Sequence, residues 1–159
     1  MPRKHRRHNY VPHDGNPYNS HPQRIFASYK AIALLLNIKV EDIRDVRFNR
    51  CVMHVIAKGI STFVSYADMP PIINATQPTH RDRRIWWKRW KNNLLMAPKF
   101  WQEFYTAKMS EAKDQDELIA WYLLILKVGF ALTKAAKTVL NDLFIQMSDC
   151  LPGSEGEPA

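Results

Sequence analysis

The sequence predicts a mainly α fold, in which several helices form one compact domain that follows a flexible basic arm. Apolar side chains recur at helical spacing in most segments between residues 22 and 149, and helix-start residues precede two of these segments. The 159 residues suffice for one domain with a sizeable core, and 46% hydrophobic with 24% charged residues is ordinary for a globular protein. A wholly disordered, collagen-like or fibrous chain is therefore excluded.

Composition divides the chain into three parts. Residues 1–21 contain four basic residues, four histidines and one acidic residue without any helical or strand period, so we expect a flexible arm. Residues 22–149 form the predicted single helical domain. Residues 150–159 are rich in proline, glycine and glutamate, which predicts a short disordered acidic tail.

Helical patterns occur in five segments of the predicted domain, and two of them have a recognisable start. Thr79 with Asp82 forms a capping-box variant, and Asp114 with Glu117 forms a second capping signature. The residues after Asp114 are mostly apolar except for polar positions every seven residues, so we expect a long central helix that organises the core. The predicted helices cover residues 22–37, 41–48, 79–96, 99–108 and 114–147.

Residues 51–66 fit either a buried helix or a small β-hairpin. Their content of Val, Ile, Thr, Phe and Tyr favours strands, and Lys58-Gly59 suits a hairpin turn. The helix is favoured because no strong breaker interrupts the segment and the rest of the chain is helical. The hairpin stays open as the alternative.

Positive charge is concentrated in the first part of the chain. The net charge is +8, and residues 1–99 contain 18 basic and 6 acidic side chains, whereas residues 100–159 contain 5 and 9. All eleven arginines lie within the first 89 residues, and the rigid arginine fork suits phosphate groups. This distribution favours a surface that faces a polyanion. The alternative is a solvated basic surface that keeps the protein in solution.

Residues 28–46 match the apolar spacing of a helix-turn-helix. Asn37 would occupy the turn, since asparagine tolerates the left-handed conformation needed there. The second helix would expose Arg44, Arg47 and Asn49, residue types that read guanine and adenine in the major groove. The alternative is a structural helical corner, which needs the same spacing, and three carboxylates near the start of the second helix would repel phosphates.

The basic arm is a second candidate for contact with nucleic acid. Arg3, Lys4, Arg6 and Arg7 could follow a phosphate backbone or enter a minor groove. The alternative is a tail that only increases solubility.

Residues 81–91 form the third candidate, with six basic residues and three tryptophans in eleven positions. On a helix, Trp86, Trp87, Trp90 and Leu94 would share one face, opposite the basic residues. The tryptophans could simply fill the core, one of them could stack on a base, or the helix could lie at a membrane surface. The predicted phosphate contacts in this segment are Arg81, Arg84, Lys88, Arg89 and Lys91.

The sequence gives little support for catalysis, metal binding or a cofactor. Glycine-rich phosphate loops and the common nucleophile and metalloprotease motifs are missing. The pair Cys51 and His54 has metal-ligand spacing, but a structural zinc site needs two such pairs. We therefore expect no enzyme, no metal site and no cofactor.

Cysteine content and apolar runs indicate the expected compartment. The chain has two cysteines and no apolar stretch near its start, which favours a reduced, cytoplasmic protein. The longest nearly continuous apolar run, residues 118–132, is shorter than the roughly 20 residues that a membrane span requires.

These observations together predict a small nucleic-acid-binding accessory or regulatory protein, with DNA favoured over RNA. One alternative is an assembly subunit that docks on an acidic protein partner or forms a homo-oligomer through its apolar helix. The least favoured alternative is a peripheral protein on a membrane surface, since tryptophan with Lys/Arg also suits lipid headgroups.

Overall fold

The computed structural model describes residues 28–48, 52–73 and 80–153. These residues form five α-helices and one three-stranded antiparallel sheet in the order β1-β2-β3. The mainly α class predicted from the sequence is therefore wrong, because the fold combines α and β structure, although helix predominates. The elements are α1 (Tyr29–Leu36), β1 (Ile43–Phe48), β2 (Val52–Ala57), β3 (Ile60–Ser65), α2 (His80–Arg89), α3 (Phe100–Ser110), α4 (Gln115–Lys127) and α5 (Lys134–Cys150).

The predicted helix over residues 41–48 is wrong, since most of this segment is strand β1. Ile43 pairs with Ala57 and Asp45 pairs with Ile56, so Arg44 is an extra residue in a β-bulge. The bulge places Ile43 and Val46 on the core side although they are three positions apart. A distorted strand therefore reproduces the apolar spacing of a helix.

The helix-turn-helix prediction fails with that helix. Asn37 does adopt the predicted left-handed conformation, with φ of 53° at the end of α1. The chain then passes through a single 3₁₀ turn, Val40–Asp42, and enters β1 instead of a second helix. Arg44 and Arg47 therefore lie on a strand and not on a recognition helix, and Asn49 is outside the described residues.

Residues 51–66 contain the hairpin, so the helix favoured there is also wrong. Strands β2 and β3 pair in register from Val52–Ser65 to Ala57–Ile60, and the turn contains Gly59 with φ of 74°. Alternate residues of β2 are buried, which is the two-residue period of a sheet with one face on the core. Glycine adopts this positive φ without the steric penalty that other residues meet.

Helix α3 lies at the centre of the helical part. Trp101, Phe104, Tyr105 and Met109 are fully buried, and α3 contacts α1, α4 and α5. The core therefore centres on this short aromatic helix, and not on the long helix predicted from residue 114 onward.

The predicted helix 114–147 is two helices that fold back on each other. Its start is confirmed, because the Asp114 side chain accepts a hydrogen bond from the Glu117 amide. Helix α4 ends at Lys127, and Thr133 caps α5 by accepting from the Ala136 amide. A continuous helix of 34 residues would extend about 50 Å, and its two halves could not pack against each other as α4 and α5 do.

Contacts between the two helices show that they are antiparallel. The side-chain amide nitrogen of Gln115, at the start of α4, donates to the backbone carbonyl oxygens of Ser148 and Leu151 at the end of α5. Further along, the Tyr122 hydroxyl donates to Asn141, and the Tyr122 ring stacks on Phe144 with ring centroids 3.9 Å apart. Together these contacts hold α4 and α5 side by side.

Several predictions fall outside the described residues. These are the flexible arm over residues 1–21, the first turns of the predicted helix 22–37, the Thr79 cap and the end of the acidic tail, residues 154–159. Cys150, the first residue of the predicted tail, is the last residue of α5.

Candidate nucleic-acid interface

Two of the three tryptophans in residues 81–91 anchor α2 to the core. Trp86 and Trp90 are 1% and 3% exposed, and their rings stack 5.5 Å apart at 8°. Both meet the edge of Trp101 from α3, with centroids 5.7 Å and 5.1 Å away. The Trp101 indole nitrogen donates to the Asp68 carbonyl oxygen at 2.9 Å. One face of α2 is thus fixed by aromatic packing, which places the opposite face toward solvent.

Arg89 ties the end of α2 to the turn that follows β3. Its Nε and Nη2 atoms donate to the two carboxylate oxygens of Asp68 at 3.1 Å and 2.8 Å. These hydrogen bonds and the Asp68 charge raise the pKa of Arg89. The guanidinium predicted to contact phosphate is therefore engaged in a bidentate pair that positions the helix.

Arg83 is held in a second way. Its guanidinium carbon lies 4.6 Å from the centroid of the Phe130 ring, and that ring lies 6.1 Å from Trp86. Such a cation–π contact places the cation beside the aromatic cluster.

The solvent face of α2 combines positive charge with exposed apolar surface. Arg84, Lys88 and Lys91 are exposed, and none of them forms an ion pair or a side-chain hydrogen bond with another described residue. Between them lie Ile85 and Trp87, which are 46% and 49% exposed. Arg84, Ile85, Trp87 and Lys88 line one shallow surface depression. We call these four residues, together with Lys91 in the 3₁₀ turn that follows α2, the α2 face.

The predicted division of this helix into an aromatic and a basic face is only partly correct. Trp86 and Trp90 are buried as expected, but Trp87 is half exposed among the cations. Leu94 is 85% exposed, because α2 ends at Arg89 and Leu94 has a left-handed φ of 52° beyond a 3₁₀ turn. The prediction assumed that the helix continues past Arg89, and it therefore placed Leu94 wrongly on the face of Trp86 and Trp90.

The remaining predicted contact residues lie elsewhere or are not described. Arg44 and Arg47 are exposed on β1, where the Arg47 Nε atom donates to Asp45 at 2.9 Å. Arg81 lies in the first turn of α2. The arm residues and Asn49 fall outside the described ranges, namely Arg3, Lys4, Arg6, Arg7 and Asn49.

The exposure of Ile85 and Trp87 is the feature that the sequence interpretation missed. Both are next to the buried Trp86 in sequence. Neighbouring side chains on a helix point about 100° apart, so the sequence already indicated that Ile85 and Trp87 point away from the direction of Trp86. The decisive fact was tertiary: Trp86 and Trp90 point to Trp101, and this rotation turns Trp87 toward solvent.

Within the described ranges there is neither a metal-binding cluster nor a helix that could span a membrane. No three or more His, Cys, Asp or Glu residues there lie close enough to hold a metal ion, and Cys51 of the predicted pair is outside them. His54 instead forms a hydrogen bond with the Ser61 hydroxyl at 2.8 Å. None of the helices within residues 28–48, 52–73 and 80–153 is both long and apolar enough to cross a bilayer.

Comparisons with protein-family models, with curated proteins and with solved structures find no match for this chain, so its function is inferred from its own residues.

Proposed function

We propose that the protein binds nucleic acid through the α2 face and acts as an accessory or regulatory protein. One observation supports this proposal above others. Arg84 and Lys88, which have no ion-pair partner among the described residues, line one depression on α2 with the half-exposed Trp87, and the exposed Lys91 follows in the next 3₁₀ turn. Cations supply affinity for phosphates of any sequence, and an exposed indole offers a stacking surface for an unpaired base.

The spacing of the cations suits a phosphate backbone. Arg84 and Lys88 are four residues apart, which is about 6 Å along the helix axis. Phosphates of one strand of B-DNA rise about 3.4 Å each along the duplex axis and are farther apart along the backbone, so the two side chains can contact separate phosphates of one strand. Flexible side-chain stems adjust the remaining mismatch.

Rigid support of α2 favours binding. The stacked tryptophans and the Arg89–Asp68 pair hold the helix before any ligand arrives. Binding then costs the ordering of a few side chains and not the ordering of a helix. This support distinguishes the α2 face from a basic tail, which must lose much more conformational entropy to reach the same contacts.

Fluorescence anisotropy tests the proposal. Labelled random duplex DNA, single-stranded DNA and RNA are titrated across about 50–300 mM salt, with labelled polyglutamate as the acidic control. Micromolar or tighter binding of nucleic acid with a steep salt slope, and no binding of polyglutamate, supports the proposal. Absence of binding at the lowest salt contradicts it.

Flotation with anionic liposomes tests the membrane-surface alternative, since tryptophan with Lys/Arg also suits headgroups.

Self-association is a second candidate function, because α4 has an exposed apolar stripe. Ile119, Leu123 and Leu126 are 42–58% exposed and repeat at helical spacing. The first turn of α4 is acidic and its last turn contains Lys127, so antiparallel packing against a second copy would align opposite charges. Two copies would also cover the stripes mutually.

Sedimentation velocity over a range of protein concentrations tests this candidate. A concentration-dependent dimer that Leu123→Glu abolishes would support it. Ile145→Glu is the matched control, because Ile145 is equally exposed on α5, outside the stripe. A dimer without affinity for any polynucleotide would make assembly, and not nucleic-acid binding, the function. A monomer at all concentrations would exclude it.

A further inference from the structure

A row of three side chains crosses the outer face of the sheet. Arg47 of β1 pairs with His54 of β2, and His54 pairs with Phe63 of β3. The neighbouring positions Val46, Met53, Val55 and Val64 are buried, so the row faces away from the core. We call Arg47, His54 and Phe63 the sheet row.

Phe63 is the exceptional member of this row. Its side chain is 65% exposed, although phenylalanine normally loses most of its surface on folding. Its ring stacks on the His54 ring, with centroids 4.7 Å apart and an angle of 22° between the planes. One ring face is thus supported by the imidazole, and the side chain retains a large exposed apolar surface.

Hydrogen bonds hold the rest of the row. His54 is fixed by its 2.8 Å hydrogen bond to the Ser61 hydroxyl, which orients the imidazole beneath Phe63. Arg47 is 59% exposed and pairs with Asp45 through Nε, which is one of its five N–H donors. The aromatic surface and the guanidinium are therefore preorganised on a rigid sheet.

Charges of both signs lie in this part of the protein. Besides Arg47, Arg44 at the bulge and Lys58 in the hairpin turn are exposed, and the carboxylates are Glu41, Asp42 and Asp45, with the Asp42 carbonyl oxygen accepting from the Lys58 amide at 2.9 Å. The phosphate contact therefore depends on Arg47 itself, whose remaining N–H donors lie on the same sheet face as the exposed ring, an arrangement suited to an unpaired base joined to a phosphate. A duplex does not offer that base face, because its bases are already stacked.

We propose that the sheet row is a second site, which stacks one base of single-stranded nucleic acid on Phe63 and directs Arg47 to an adjacent phosphate. The site is separate from the α2 face in sequence and in secondary structure. It would make the protein prefer single strands, whereas cations on the α2 face would contact phosphates of either form. The inference rests on the proposed nucleic-acid function. It is tested with variants of Phe63, whereas the α2 face is tested with variants of Arg84 and Lys88.

Binding by full-length variants to a labelled oligothymidylate, an oligouridylate and a DNA duplex tests the site. Phe63→Ala is expected to weaken binding to both single strands about 5- to 150-fold, the range for one stacked base, and to leave duplex binding unchanged. Phe63→Tyr keeps the ring and is expected to bind like the wild type. Phe63→Leu keeps apolar bulk without the ring and is expected to behave like Phe63→Ala. The large exposure of Phe63 makes these variants compatible with folding, which circular dichroism checks.

A single strand of abasic sites identifies stacking directly. Phe63→Ala should have no effect on its binding, because that strand lacks the partner of the ring. The sheet-row proposal would be overturned if Phe63→Ala and wild type bound single strands with equal affinity. It would also be overturned if Phe63→Ala lost as much affinity for the duplex as for single strands. Neither result bears on the α2 face. Arg84→Ala/Lys88→Ala tests the α2 face separately, and absence of binding to every polynucleotide would overturn both proposals.

Discussion

Removing two cations from the α2 face should change the salt dependence of binding in a calculable way. Arg84 and Lys88 are exposed and have no ion-pair partner among the described residues, so Arg84→Ala/Lys88→Ala removes charge without breaking an observed contact. Each phosphate contact on B-DNA contributes about −0.9 to the slope of log K against log salt. Two contacts therefore contribute about −1.8.

The size of the effect follows from that slope. Salt raised from 50 to 200 mM changes log salt by about 0.6, so a slope difference of 1.8 corresponds to about 12-fold. The wild type should lose about 12-fold more duplex affinity over this range than the double variant. Lys88→Ala alone should produce half of the slope change.

Anisotropy titrations of one labelled duplex at four salt concentrations measure both slopes. Lys113→Ala is the control, because this exposed lysine lies beyond the C-terminal end of α3, whereas Trp101 at the other end contacts α2. The helix between them is about 16 Å long. An unchanged slope in the double variant would refute the α2 footprint, and a slope change in Lys113→Ala equal to that in Lys88→Ala would show that only net charge matters.

Three further predictions concern the structure that supports the site. Trp86→Ala should lower the free energy of unfolding in urea by about 3–5 kcal/mol, whereas Trp87→Ala should change it by about 0.5 kcal/mol; similar losses would contradict the observed burial. Arg89→Ala should cost about 1 kcal/mol because it removes a half-exposed pair with Asp68, and Arg84→Ala is its matched control; equal thermal midpoints would argue against the pair. Burial raises the pKa of Tyr105, whose hydroxyl donates to the Pro71 carbonyl oxygen at 2.8 Å. The phenol therefore stabilises the fold fully below pH 10.0, its ordinary pKa, and this stabilisation is lost as the pH rises toward the higher folded value. Unfolding followed across alkaline pH should show a decline in wild type that is smaller in Tyr105→Phe, and identical declines would contradict this assignment.

Local chemistry made some features predictable. Asp114 has a short side chain that accepts from the amide three residues later, so the start of α4 follows from two residues. Asn37 tolerates a left-handed backbone, so the end of α1 was also predictable. The burial of Trp86 and Trp90 follows from their apolar surface and spacing.

Strand β1 shows why similar reasoning failed nearby. Ile43 and Val46 are spaced as on a helix, and only the pairing of β1 with β2 shows that the bulge at Arg44 produces this spacing. Such pairing depends on hydrogen bonds between residues that are distant in sequence, which no local pattern contains. The same holds for residues 52–65, where strand pairing overrode an ambiguous apolar pattern.

Four features follow from local sequence: the excess of positive charge in residues 1–99, the cap at Asp114, the turn at Asn37 and an amphipathic helix rich in tryptophan and arginine. Which of these groups remain available to a ligand depends on how the chain folds. Arg89 is paired because Asp68 lies beside it, and Trp87 is half exposed because Trp86 and Trp90 pack against Trp101. Capping depends on a few neighbouring residues and charge on the residue type alone, whereas exposure depends on what the rest of the chain packs against.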